Sequence, residues 1–145
     1  MGMTTHVTPK GVGVLAMSLA CWSAYAGDGT WTQDKVSSAI NYQNTEVVTP
    51  YAPGASAKAV PSGSRITHVY AARSYSGNAM VETMLCWNGA SRCIPLRGND
   101  MNTHEFDGLD ASRPMYLVHK AKGDKVRPLP SPIFVKGTVA VWYAP

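Results

Sequence analysis

Short runs rich in Val, Ile, Thr, Tyr and Trp recur along this chain, separated by Gly, Pro, Asn and Asp. That punctuation belongs to strands and turns. No window beyond residue 26 holds a sustained i, i+3, i+4, i+7 apolar pattern bounded by caps, so helices are not expected. The runs are Val36–Tyr42, Glu46–Tyr51, Arg65–Ala72, Ala79–Trp87, Arg92–Leu96, Met115–Lys120, Ile133–Val135 and Thr138–Tyr143. They predict an all-β fold, a small antiparallel β-sandwich of about seven or eight short strands. The prolines after the first ten residues fall mostly between these runs, where they break no ladder. Pro95 lies inside one and marks an edge strand. Gly137 marks a bulge or a bend between sheets.

The N-terminus follows a different pattern. Lys10 is followed by the uncharged apolar run Gly11–Ala20 and then by Ala24-Tyr25-Ala26. Charge, short apolar run and Ala-x-Ala in that order make a secretory signal peptide. The run is too short to span a bilayer, which takes about 20 apolar residues. Cleavage is expected between Ala26 and Gly27. Residues 1–26 are then removed, and residues 27–145 remain as a single β-sandwich domain of 119 residues. The competing readings are a buried N-terminal helix and lipidation at Cys21. The second is disfavoured because Ser18-Leu19-Ala20 has no aliphatic residue three places before the cysteine.

Export changes the meaning of the cysteines. Cys21 leaves with the signal peptide, and Cys86 and Cys93 remain as an even pair in an oxidising compartment. Between them lies Asn88-Gly89, a strong hairpin signal. The prediction is one disulfide stapling a hairpin across its two strands. Six intervening residues do not match the two-residue spacing of redox or zinc pairs.

Charge adds little. The full chain carries +4. Lys10 is the one charged residue lost with the leader, which leaves +3. That is too mild to argue for nucleic acid. Lys120, Lys122, Lys125 and Arg127 cluster around Gly123-Asp124. They read either as a solvated turn or as a contact patch for an acidic partner or lipid headgroups. Of the two long loops, Pro53–Ser64 is small, polar and exposed in character. Arg97–Pro114 holds Asp100, His104, Glu105, Asp107 and Asp110, and loops of this length often carry function.

The candidate chemistry is sparse. There is no G-x-S-x-G elbow, no calcium-loop pattern and no phosphate-binding glycine loop. His68, His104 and His119 share no metal-ligand spacing, and His68 and His119 read as structural histidines within strands. No catalytic residue, metal site or cofactor is expected. Trp31, Trp87 and Trp142 admit a sugar-stacking face, but aromatics more often fill cores. Trp142 and Tyr143 point to opposite faces, so at least one is core, and Trp31 is placed to cap it.

Five pieces in order suggest a family. They are Gly27-Asp28-Gly29-Thr30-Trp31 with Ala39-Ile40-Asn41-Tyr42, then Leu85-Cys86, then Ser91-Arg92-Cys93-Ile94-Pro95-Leu96, then Thr103-His104-Glu105-Phe106, then the Val135–Tyr143 strand. Together they resemble the FlhE flagellar protein family of Gram-negative bacteria. The family's two cysteines usually lie closer, and the region ahead of the apolar run is longer here. The resemblance implies a small periplasmic protein encoded with flagellar export components. Its implied role is to keep the flagellar type III export gate from leaking protons and to support flagellum assembly. The partner is then the export apparatus or another flagellar protein, and the protein is a non-membrane-spanning monomer. The basic turn and the acidic residues Asp100, Asp107 and Asp110 are the candidate partner surfaces. One alternative is a periplasmic glycan- or peptidoglycan-binding module, which predicts an exposed, coplanar aromatic pair. Another is a hydrolase using Glu105 with Asp107 or Asp110, which needs two carboxyls about 5–9 Å apart in a groove.

Overall fold

A computed structural model describes residues 28–54 and 59–145. The leader, its boundary at Ala26 and Gly27, Cys21 and positions 55–58 lie outside the described residues. Ten strands follow in order: β1 (Gly29–Val36), β2 (Ile40–Tyr42), β3 (Glu46–Tyr51), β4 (Arg65–Ser74), β5 (Val81–Trp87), β6 (Arg92–Pro95), β7 (Asp100–Thr103), β8 (Met115–Ala121), β9 (Pro128–Ile133) and β10 (Lys136–Ala144). A front sheet has the order β1-β10-β4-β7 and a back sheet the order β3-β8-β5-β6, with β2 and β9 paired as a ribbon. All these pairings are antiparallel. Inward-facing residues of both sheets share one core, with Trp31, Val69, Val139 and Val141 from the front meeting Tyr51, Leu85 and Leu117 from the back. A smaller cluster of Ile40, Val81, Ala121, Ile133 and Val135 lies beneath the ribbon. The architecture is the predicted all-β sandwich.

The strand count exceeds the expectation, for identifiable reasons. β1 was not expected as a strand, because of its eight residues only Trp31 is buried and polar residues fill both faces. Val36–Tyr42 is not one strand. Val36 ends β1, and the buried Ser37 turns the chain toward the ribbon by donating its N–H to Val135 O and accepting the Val135 N–H at Oγ. β7 emerges inside the acidic loop, pairing Asp100–Thr103 with β4. β9 carries Pro128, Pro130 and Pro132. Spaced by two, their missing N–H groups fall on one side of the strand, so the other side can still pair with β2.

The prolines therefore do not sit mostly between strands. Five lie within strands, at Pro50, Pro95, Pro128, Pro130 and Pro132. Every one of those strands is a sheet edge or half of the ribbon, where no second ladder is lost. Pro95 on edge strand β6 is as predicted. Gly137 marks neither bulge nor bend, since it pairs in register with Lys35 and Arg73 inside β10. The register shift in β10 comes instead between Trp142 and Tyr143. Ile133–Val135 does not form one strand either, because β9 ends at Ile133 and Phe134 turns outward.

The hairpin staple is present. Cys86 and Cys93 are direct cross-strand partners of β5 and β6 and are disulfide-bonded. Asn88 and Gly89 both take positive φ, at 53° and 79°. Asn88 is thus one of the residues that tolerate the left-handed conformation a tight hairpin needs.

Candidate functional site

The residues proposed as partner surface lie in separate places. Lys120 points outward from β8 between its cross-strand neighbours Glu46 and Glu82. Lys122 pairs with Glu82 at 3.8 Å. Lys125 and Arg127 are exposed in the β8–β9 connection, with no ion pair among the described residues. Half of the basic turn is therefore offset locally by acids.

The acids are not brought together. Asp100, on β7, accepts a long 3.4 Å hydrogen bond from the Tyr70 hydroxyl. Asp107 accepts from His104 Nδ1 at 3.0 Å. Asp110 accepts from the Ser112 hydroxyl at 2.7 Å and the Ser112 N–H at 2.9 Å, and lies 3.7 Å from Arg113. These Ser112 bonds hold its carboxyl below the usual range. Its carbonyl also accepts the Trp87 indole N–H at 3.0 Å. Asp110 is a turn-former. Among the described residues, no three His, Cys, Asp or Glu side chains gather as metal ligands.

His119 is the structural histidine expected. It is fully buried between the sheets, and its Nδ1 lies 2.9 Å from Thr83 Oγ1. That hydroxyl accepts from Arg73 Nη1 at 2.7 Å and has its own proton left for the imidazole. Burial, and then the Arg73 charge, push His119 down to about 4. It is neutral at physiological pH and unavailable to solvent.

His68 differs. It leaves the outer face of the front sheet and stacks between two other rings. Its ring centroid lies 4.7 Å from that of Trp142 with planes 16° apart, and 5.1 Å from that of His104 with planes 25° apart. Register builds this ladder, since Trp142 of β10 is directly opposite His68 of β4. His104 follows the end of β7, the next strand across. Each histidine is held: His68 Nε2 donates to Asn102 Oδ1 at 2.8 Å, and His104 Nδ1 donates to Thr67 O at 2.9 Å as well as to Asp107. Histidine spacing along the chain gave no hint of this, because the three rings come from β4, from β10 and from the residue after β7. The aromatics otherwise divide as expected. Trp31 and Tyr143 are core, Trp87 packs partly buried against it, and Trp142 is 37% exposed.

The outer face of the back sheet is apolar. Val48, Val118, Met84 and Pro95 form one rung across it. Pro50, Tyr116 and the Cys86–Cys93 bridge form the next. Val48 is 52% exposed, and the charged rung Glu46–Lys120–Glu82 borders the patch. Contiguous apolar faces on a sheet mark contact surfaces more often than scattered residues do. The signal was in the strand sequences, since MYLVHK and VETMLCW are apolar on both faces.

With this geometry, solved structures give a clear comparison. The crystal structure of FlhE superposes with a TM-score of 0.69 over 83% of this chain and 100% of that one, at 24% sequence identity. The fold is that of FlhE. The FlhE-like sandwich carries the quoted sequence pieces in structural roles. Trp31 and Phe106 are core, Tyr143 packs in β10, and Gly29 lies opposite Tyr143, where a Cβ would come 2.5 Å from its hydroxyl. The serine protease of Aeromonas sobria in complex with its chaperone matches at a TM-score of 0.50 and 10% identity, over 79% of this chain but 27% of that one. That likeness concerns the fold of part of the matched chain. No family model matches the sequence, and no curated protein matches it.

Proposed function

We propose that this chain is an exported flagellar accessory protein that works in the periplasm on the flagellar type III export apparatus. There it limits proton leak through the export gate and supports orderly assembly. The observation that carries the reading is the FlhE-like fold over the whole length of the FlhE chain, which agrees with the sequence resemblance drawn independently. The Cys86–Cys93 bridge fits an oxidising compartment. Among the described residues no helix is long and apolar enough to cross a membrane. The N-terminal pattern of residues 1–26 supports export, with cleavage after Ala26.

The role is adaptor-like rather than catalytic. Asp100, Asp107 and Asp110 and the three described histidines are tied into turns, a stack and a buried network. The surface best suited to a protein partner is the apolar outer face of the back sheet, with its charged rim. A protein partner is the occupant that an apolar centre bordered by charges fits. Deletion of the gene in flagellated cells tests the reading. Swimming, flagellar number or cytoplasmic pH should change. If all three stayed at wild-type values, the flagellar role would be wrong.

A further inference from the structure

We propose that the free face of Trp142 is a binding subsite for a hexopyranose ring of a glycan. The proposal is independent of the flagellar role. The three-ring ladder His104–His68–Trp142 runs across the outer face of the front sheet and stops at β1. The residue opposite Trp142 on β1 is Thr30. Neighbouring strands are about 4.8 Å apart, the spacing at which rings stack. Thr30 is small, so the β1 side of the indole is not covered by another ring. A groove of about 480 Å³ opens beside the indole at the end of β10, lined by Asp28 and Thr30 from the β1 side, by Thr67 of β4 and by Trp142 among others. That volume suits a small ligand.

Three features select the ligand class. The indole is held in place from behind, since His68 is fixed by Asn102 and His104 by Thr67 and Asp107. A preorganised ring loses little freedom on binding. The polar groups beside it are a carboxylate and two hydroxyls, which pair with the hydroxyls of a sugar whose C–H face lies on the indole. An aromatic side chain in the same position would strip water from Asp28, Thr30 and Thr67 and give them no partner. Among the described residues the subsite presents one free ring face, so it holds one sugar ring. Trp142 makes the contact, and His68 is a positioning residue that acts through it.

The test is a titration of the purified protein with chito-oligosaccharide and, separately, cello-oligosaccharide. It follows the Trp142 indole N–H resonance, identified by its loss in Trp142→Phe, and the backbone N–H resonances of Thr30 and Thr67, which line the same groove and remain readable in the Trp142 variants. The expected result is a saturable shift with Kd of the order of 1 mM for at least one sugar. Trp142→Ala should weaken binding about tenfold or more. His68→Ala should weaken it less, and His68→Phe should restore it by rebuilding the stack. Should Trp142→Ala fail to fold, Thr30→Tyr fills the groove side of the ladder without truncating anything and should block the sugar. Absence of a shift with both sugars overturns the proposal, as does a shift that survives Trp142→Ala or Thr30→Tyr. A shift produced by N-acetyl-arginine amide or by a soluble phenol, but by neither sugar, also overturns it.

Discussion

Gly137 of β10 and Tyr51 of β3 share one space across the sandwich. A Cβ on Gly137 would run into the Tyr51 hydroxyl and sit 2.8 Å from Leu117 Cδ1. The glycine lets the phenol lie flat between the sheets, where Tyr51 is fully buried. Burial, and then the negative charge of Asp34, push its hydroxyl up to about 12. Among the described residues its oxygen has no hydrogen-bond partner. Gly137→Ala should therefore destabilise by about 1–3 kcal/mol. Tyr51→Phe should be near neutral or stabilising, because it removes an unpaired buried hydroxyl. In the double variant Tyr51→Phe should recover part of the Gly137→Ala loss. Urea melts read all three, and an unchanged midpoint for Gly137→Ala would refute the clash.

His119 makes the fold acid-sensitive. Its folded pKa of about 4 lies below the ordinary 6.5. Between those values the unfolded chain binds the proton and the folded chain does not, so stability rises with pH. The contribution is complete above about 6.5 and is lost progressively down to about 4, amounting to about 3 kcal/mol. The melting temperature should fall steeply across that window. His119→Leu should flatten this part of the profile, although it also leaves Thr83 without its partner. A wild-type profile that is flat from neutral pH to 4 would show that the imidazole is not held neutral.

The disulfide should be present in protein recovered after export, detectable as a two-hydrogen mass difference on reduction. Closing a loop between positions 86 and 93 contributes about 2.5 kcal/mol by chain entropy. Cys86→Ser with Cys93→Ser should lower the denaturation midpoint by about that amount. Two free thiols in the recovered protein would contradict the bridge.

Function should respond to the back face and the basic turn, not to the acidic loop. Val48→Asp alters an exposed position, so its effect on stability should stay within about 0.5 kcal/mol while motility falls. Lys122→Glu with Lys125→Glu should likewise keep the melting temperature and weaken association. Glu105→Gln with Asp107→Asn should leave motility intact. Loss of motility in that last variant at normal abundance would move the activity to the acidic loop.

Legibility in the sequence followed burial. β3, β4, β5 and β8 were readable because their apolar residues are packed on at least one face. β1 and β7 were not, because an edge strand keeps few apolar residues. β9 was hidden by three prolines that are harmless only at an edge, and an edge is a property of the finished sheet. The disulfide was readable from local spacing. The Trp142–His68–His104 ladder was not, since it depends on the registers of strands far apart in the chain. The apolar face of the back sheet was visible only as strands that are apolar on both sides, a pattern that a fully buried strand shares.

β10 comes last among the strands yet lies between β1 and β4. Gly29–Val36 is thus separated from its ladder partner by more than ninety residues, with Gly29 opposite Tyr143 and Val36 opposite Lys136. A chain threading through a narrow channel from its N-terminus cannot zip up the front sheet until its final segment emerges. Nothing upstream supplies β1 with a neighbour in the meantime. This connectivity defers closure of the front sheet until the last strand is available, whereas the β5–β6 hairpin needs only its own neighbouring residues to pair and be bridged.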